Sequence, residues 1–368
     1  MRGDALVTLV VMLGDVGPSV PEQMLGNVRE AIALDTVEKG LALAGVREVV
    51  VSTGRPAFAQ RLAGLPVRVV LDDPEAPFHF GRVLQGIARQ SGAERIFYMG
   101  GGAGALLAPA DMQAMINALA AAPDRLVTNN LYSSDMVGFA TALLERIDLP
   151  DKDNDLAWRL AQLGGLDVRQ PPRSAGTAFD IDTLTDILIL SVCPHVGPHT
   201  RQALDALGLD TSRLRAAAAE LADPQATLLL AGRASAGVWQ TLERRARCQT
   251  RVIAEERGMR ASGRLARGAV RCLLGYALEQ LGYEGFFAYL AERYSAALID
   301  SRILFAHLGK WPSDADRNYS DLSRPAQIED PAIRRLTASA LEAPIPVLLG
   351  GHSLMSGGLL ALLEALEL

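Results

Sequence analysis

The sequence is short of the residues that anchor several common protein classes. Its 3 cysteines, Cys193, Cys248 and Cys272, are odd in number and far apart. That excludes a disulfide framework and a zinc-knuckle spacing, and it leaves reduced, partly buried thiols as the expectation. Positive charge is also scarce: 36 Lys and Arg stand against 42 Asp and Glu, a net charge of -6, so no basic groove for nucleic acid is expected. The apolar run at 5–13 falls well below the roughly 20 residues of a membrane span. It also lacks the basic start and cleavage pattern of a secretion signal, since Arg2 is balanced by Asp4. Neither a membrane nor nucleic acid is an expected partner, and the expected location is the cytoplasm. Low-complexity segments and exact repeats are missing as well.

What remains is a chain of 368 residues, 49% hydrophobic and 21% charged, long enough for two packed α/β domains at about 150 residues each. The first half alternates β-rich apolar runs at 5–13, 48–52, 67–71, 95–99 and 125–128 with helical patterns at 21–44, 57–62, 80–90 and 109–121. Continuous apolar runs fit strands covered on both faces, hence a mostly parallel three-layer α/β/α sheet. A proline- and glycine-punctuated stretch, Cys193 to Pro198, reads as a linker, and 200–221 reads as helix. A second alternation then begins, with strands expected at 227–231, 250–254, 296–299 and 346–349 and helices at 238–247, 266–281, 284–294, 331–341 and 354–366. The expected division is an α/β domain over 1–195, a linker and helix over 196–226, and a second α/β domain over 227–368. The stretch from Trp311 to Asp321, rich in Asp, Ser and Asn, reads as a surface loop or lid.

Three segments of the first half invite chemistry. In Ala178-Phe179-Asp180-Ile181-Asp182-Thr183-Leu184-Thr185-Asp186, period-two spacing puts Asp180 and Asp182 on one face of an extended segment, which suits a divalent cation on a phosphate. Asp182 or Thr183 would serve equally as the cap of a helix opening at Leu184. Gly100-Gly101-Gly102-Ala103-Gly104 would let a ligand approach the backbone or would form a tight turn. Asn129 and Asn130 end the next strand with uncharged amides suited to a base, ribose or sugar, or to a capped loop. His79, just before Gly81 and Arg82, would face the same cleft or remain structural.

The order of these segments resembles the nucleotidyltransferases of the glycosyltransferase-A type, in particular the molybdenum-cofactor and phospholactate guanylyltransferases. The resemblance runs through the first strand, the helix end Leu41-Ala42-Leu43-Ala44-Gly45-Val46, the strand Glu48-Val49-Val50-Val51-Ser52-Thr53, the stretch from Tyr98 to Pro109, and the Phe179–Thr183 motif. It implies a nucleotide-diphospho-sugar transferase-like sheet with a nucleotide over the carboxyl ends of its strands. It also implies magnesium on the phosphates at Asp180 and Asp182, the backbone of Gly100, Gly101, Gly102 and Gly104 beside the nucleotide, and Asn129 and Asn130 orienting the substrate. The chain departs from the family in two places. The loop Leu13-Gly14-Asp15-Val16-Gly17-Pro18-Ser19-Val20-Pro21 has an acid and two prolines where the family carries an arginine and a lysine, and its first following basic residue is Arg29. The stretch from Tyr98 to Pro109 contains no acid, where the family has its first metal aspartate.

In the second half, four expected strands end in polar clusters: Gly232-Arg233-Ala234-Ser235, Glu255-Glu256-Arg257-Gly258, Asp300-Ser301-Arg302 and Gly350-Gly351-His352-Ser353. If these strands are parallel neighbours, the clusters converge where open α/β sheets bind ligands. Gly350, Gly351 and Ser353 would cradle an anion at a helix start, with His352 as acid or base and Arg257, Arg302 and Asp300 beside it. Ser353 would otherwise be a cap and the glycines a turn. The basic loop Met259-Arg260-Ala261-Ser262-Gly263-Arg264 suits phosphate or carboxylate, or is a solvated face.

Two functions follow as expectations. One is a nucleotidyltransferase-like enzyme that handles a nucleotide or nucleotide-sugar and a small phosphorylated or anionic acceptor through a degenerate phosphate loop. The other is a noncatalytic binding or assembly module of the same fold, with any chemistry or anion binding in the C-terminal domain. Assembly into a homo-oligomer is compatible with both.

Overall fold

Every side chain of the first strand is buried, because helices cover it on both faces. The structure, a computed structural model, describes residues 6–368; Arg2, Asp4 and Ala5 of the expectations above lie outside the described residues. In chain order the first half carries β1 (Val7–Leu13), α1 (Val20–Leu41), β2 (Val46–Thr53), α2 (Pro56–Arg61), β3 (Arg68–Leu71), α3 (Phe80–Ser91), β4 (Arg95–Gly100), α4 (Pro109–Ala120), β5 (Arg125–Thr128), β6 (Met136–Ala140), α5 (Leu156–Ala161), β7 (Asp167–Arg169), α6 (Ala175–Ala178) and α7 (Leu184–Val192). Val7, Leu9, Val11 and Leu13 enter one apolar cluster and Val10 and Met12 another, the alternation that a pleated strand imposes. Phe97 and Met99 on β4 likewise part from Ile96 and Tyr98. Two separate cores on one sheet make the three-layer arrangement.

The chain forms two compact units. One comprises the residues up to Val16, Gly26–Asp180 and Gly197–Ala203; the other comprises Gly17–Leu25, Ile181–Val196 and Leu204–Leu368. The first unit holds a seven-stranded sheet of order β3-β2-β1-β4-β6-β5-β7. Only β6 runs antiparallel to its neighbours, so the sheet is mostly parallel. Sequence reading did not anticipate β6 and β7, because each is short and one has a central glycine and the other charged ends.

The second half continues with α8 (Pro198–Leu207), α9 (Ser212–Ala219), β8 (Thr227–Gly232), α10 (Ala236–Arg245), β9 (Gln249–Ala254), α11 (Leu273–Ala291), β10 (Ala296–Asp300), α12 (Ser301–His307), α13 (Asp314–Asp321), α14 (Pro331–Glu342), β11 (Val347–Gly350) and α15 (Gly357–Ala365). The second unit's sheet has the order β11-β10-β8-β9, and all its pairs are parallel. Leu229, Ala297 and Leu349 of that sheet share a core with Phe286, Phe287, Ile303 and Leu336.

Three helix expectations and one loop expectation need correction. The helix expected at 266–281 starts only at Leu273, then runs on through the expected break, bending at Gly282; the arginine- and glycine-rich residues before it form turns. The helix expected at 200–221 splits at Gly208, which has a φ of 54°. The last helix begins at Gly357, after a short 3-10 turn over His352–Met355. The loop or lid expected from Trp311 to Asp321 is largely α13, with Ser313 Oγ accepting from Asp316 N. Its polar residues misled because they are buried with partners: Asp316 accepts from Glu329 N at 2.7 Å and Asp330 N at 3.0 Å, and Ser320 meets Thr337 Oγ1 at 2.8 Å. All three cysteines are free. Among the described residues no helix is long and apolar enough to cross a membrane.

Candidate functional site

In the first unit, β2 lies on one side of β1 and β4 on the other, and the crevice beyond such a switch is where open α/β sheets take ligands. The glycine loop that follows β4 is mostly committed to the protein itself. Gly100 N donates to Asp135 O at 2.9 Å, Gly101 N to Met12 O at 2.8 Å, Ala103 N to Gly100 O at 3.0 Å and Leu107 N to Gly104 O at 3.0 Å. Lys39 Nζ braces the loop by donating to the carbonyls of Gly104 and Leu107, both at 3.1 Å; burial pulls its pKa down. Gly101, Gly102 and Gly104 are buried and Gly100 half-buried. A Cβ on Gly101 would stand 2.5 Å from Leu13 Cδ1 and 3.1 Å from Leu13 Cα, so only glycine lets the loop lie on β1. Gly101→Ala is expected to cost about 1–3 kcal/mol through overpacking, read as a lower denaturant midpoint at unchanged slope.

Asn129 is similarly engaged. Its Oδ1 accepts from Asp135 N and Met136 N, both at 3.1 Å, and its Nδ2 donates to Thr177 O at 3.1 Å. Asn130 Oδ1 accepts from Tyr132 N at 3.1 Å, closing a local turn. His79 Nδ1 accepts from Arg82 N at the start of α3, and its Nε2 lies 3.1 Å from Asp151 Oδ1. These contacts fix the orientation of the amides and the histidine.

Two features of the crevice were not visible in the sequence. Tyr98 Oη donates to Asp153 Oδ2 at 2.7 Å; burial first, then the charges of Asp153, Asp135 and Asp180, hold the phenol well above its ordinary pKa. An acidic rim therefore surrounds the end of β4, although no acid follows that strand in sequence. At the end of β2, Arg55 Nε donates to Glu30 Oε1 at 2.7 Å. Its Nη1 is buried without a hydrogen-bond partner, 3.9 Å from Asp15 Oδ1.

One group of three ligand-type side chains with atoms within 4.8 Å of one another occurs among the described residues: Asp35, Glu38 and His199. Its buried member is occupied, since Asp35 Oδ1 accepts from His199 N at 3.1 Å and Oδ2 from Thr200 N at 2.8 Å and Thr200 Oγ1 at 2.6 Å. Asp35 thus caps the first turn of α8. Asp180 and Asp182 are outside this group, and they fall in different compact units. Asp182 is exposed.

No protein-family model and no curated protein matches the sequence. Solved structures do resemble it. A nucleotidyl transferase from a Methanothermobacter species is 19% identical with a TM-score of 0.40, the match covering 50% of this chain and 94% of that one. A cytidylyltransferase from Leptospira borgpetersenii is 13% identical with a TM-score of 0.41, covering 55% and 93%. A putative nucleotide-diphospho-sugar transferase from Desulfovibrio desulfuricans is 12% identical with a TM-score of 0.38, covering 50% and 86%. About half of the chain is similar to nucleotidyltransferases. At these identities and scores the likeness is one of shape, and the chemistry must come from the residues.

In the second unit the sheet order sets β9 and β10 on opposite sides of β8, which places a crevice between the carboxyl ends of β8 and β10. Arg233 and Asp300 close it: Nε lies 2.5 Å from Oδ2 and Nη2 3.1 Å from Oδ1. Gly232 makes the approach possible, because a Cβ there would stand 2.3 Å from Asp300 Cβ. Beside this pair Arg302 is buried; its Nη1 and Nη2 donate to the two oxygens of Asp321, Nη2 at 2.8 Å, and Nη1 also donates to Ser301 Oγ at 3.0 Å. Burial opposes the charge of Arg302, but Asp321 outweighs it and the guanidinium is held above its ordinary value.

All four polar clusters therefore end neighbouring parallel strands, three of them at β8, β10 and β11 and the fourth at β9. In the fourth, Glu255 accepts from Leu273 N at 2.9 Å and caps α11, Glu256 pairs with Arg264 at 2.9 Å, and Arg257 is exposed. Gly350 and Gly351 are buried, His352 is exposed and Ser353 half-buried. No long helix starts at Ser353, which removes the helix dipole expected there.

The Asp182–Asp186 segment of this unit is a capping box. Thr183 is the N-cap of α7 and Asp186 its partner: Asp186 Oδ2 accepts from Asp182 N at 3.0 Å, Thr183 N at 2.8 Å and Thr183 Oγ1 at 2.9 Å. Asp186 Oδ1 is buried without a partner, and burial, then the charge of Asp182, pushes the carboxyl up to about 7. The signal for it was present in the sequence, since a Thr followed three residues later by an acid is the spacing of such a box.

Proposed function

We propose that the chain is a nucleotide-handling transferase, a cytoplasmic protein acting on a nucleotide or nucleotide-sugar and a small phosphorylated or anionic acceptor. In this reading the nucleotide phosphates lie over the carboxyl ends of β1, β2 and β4. Arg55 supplies the positive charge that the loop after β1 lacks. The observation that carries the reading is its buried Nη1, since an unmet guanidinium donor costs about 1–3 kcal/mol and an anion in the crevice would satisfy it. The glycine loop forms a floor that lets the ligand sit close to the backbone; its own donors are largely spent.

Magnesium fits the rim in a limited way. Carboxylate oxygens suit this hard cation, which commonly takes one or two carboxylates and completes its shell with phosphate oxygens and water. Asp135, Asp153 and Asp180 form no closed three-ligand group among the described residues, so a site shared with the nucleotide suits them and an all-protein cage does not. When bound, the ion would neutralise phosphate charge and polarise the phosphoryl group. Asp153 keeps the Tyr98 proton in place at the rim.

Thermal-shift measurements with each nucleoside triphosphate, with and without magnesium, test the proposal. At about a hundredfold excess over Kd, binding adds roughly 2.7 kcal/mol, so the wild-type protein is expected to melt higher with at least one nucleotide and Arg55→Ala is expected not to respond. Absence of a shift with every nucleotide sinks the reading. It would favour the noncatalytic module, for which the commitment of Asn129 and the glycine loop to internal hydrogen bonds already speaks.

A further inference from the structure

Arginines of the second unit gather at the carboxyl edge of its sheet, and their charge is only partly met. Arg302 is closed by Asp321. Arg317, on α13, is half-buried and pairs with Asp314 of its own helix and with the Pro312 carbonyl. Arg260, in the turns after β9, is exposed and makes no ion pair among the described residues. Both Arg317 and Arg260 lie against Trp311, at 5.1 Å and 5.4 Å from the ring centroid. Burial, then the positive charges of Arg302 and Arg260, pull Arg317 down to about 10, against the opposing pull of Asp321 and Glu22. Arg317 thus feels the charges of Arg302 and Arg260 in a protein whose net charge is -6. Like charges drawn together repel unless an anion joins them.

We propose that Arg317 and Arg260, set against Trp311, form a binding site for a small molecule carrying a phosphoryl group. The chemistry favours a phosphoryl group because it offers several oxygens and two negative charges to guanidinium forks, which bind such groups with paired hydrogen bonds. The indole supplies a rigid apolar wall, and a guanidinium already stacked on it loses less freedom on binding. Arg260 follows β9 and Arg302 follows β10, which sets the site by the carboxyl ends of the sheet's strands. It draws on no residue of the nucleotide proposal and stands without it.

Trp311 is also the reporter. Titration of the full chain with inorganic phosphate, pyrophosphate and glycerol phosphate at constant ionic strength is expected to give a saturable change in tryptophan fluorescence. Trp311→Phe removes the change while calorimetric binding persists. Arg260→Ala, a surface change that leaves folding intact, is expected to weaken binding at least tenfold, and Arg317→Lys to weaken it comparably; Arg89→Ala, which removes an exposed arginine of the first unit, leaves it untouched. Tighter binding of glycerol phosphate than of inorganic phosphate identifies a phosphate ester as the ligand, and the reverse identifies free phosphate. A response matched by sodium chloride, or an Arg260→Ala protein that binds as tightly as wild type, overturns the proposal.

Discussion

Replacing Asp186 with asparagine is expected to flatten the pH dependence of the second unit's stability. In the folded chain this carboxyl holds its proton up to about 7, against an ordinary value of 3.8, because it is buried and one oxygen has no partner. Between those values the folded form binds more protons than the unfolded form, so stability falls as pH rises. The contribution is intact below the unfolded value and is lost by the time pH passes the folded one. At about 1.4 kcal/mol per pH unit the loss reaches roughly 4 kcal/mol for a fully buried group. Asparagine can accept the same three hydrogen bonds through its carbonyl and cannot ionise. Urea unfolding of both proteins at about pH 5 and about pH 8 should therefore show the wild type losing roughly 3 kcal/mol more than the variant across that interval. Equal losses would mean that Asp186 is ionised in the fold.

That aspartate illustrates what the sequence displayed and what it hid. The buried strands of the first unit were legible because coverage on both faces leaves apolar runs, Val-Thr-Leu-Val-Val-Met-Leu in β1, Val49–Val51 in β2 and Ile96–Met99 in β4. β7 was illegible for the converse reason: it lies at the sheet edge and has three residues, two of them charged. The polar strand ends of the second unit stood out, yet their roles did not, since Asp300, Arg302 and Glu255 acquire meaning only from partners distant in sequence. Asp321, the counter-ion of Arg302, sits in a stretch whose composition resembles a solvated loop. Composition reports how polar a segment is; it does not report whether each polar group has found a buried partner. Arg55 was hidden similarly, because the basic residue at the crevice follows β2 while the family pattern directs attention to the loop after β1.

Removing Arg302 alone is expected to be among the most damaging single substitutions in the second unit, for a reason unrelated to chemistry on a substrate. Its guanidinium and the Asp321 carboxylate are both buried and face each other through two hydrogen bonds. Arg302→Met leaves the carboxylate buried without a counter-charge, which costs about 3–5 kcal/mol. Burial already raises the pKa of Asp321, with Arg302 as its main opposing influence, so the stranded acid would take up a proton more readily and the loss would be smaller at acid pH. Asp321→Asn in the same chain removes the stranded charge and keeps a polar side chain of the same shape. The double variant is expected to recover most of the stability, a coupling of at least about 2 kcal/mol in a double-mutant cycle. It should also retain a saturable Trp311 response to phosphate, because Arg317 and Arg260 remain. A double variant no more stable than Arg302→Met would show that Arg302 works through groups other than Asp321. A stable double variant without the phosphate response would move Arg302 from the scaffold into the binding site.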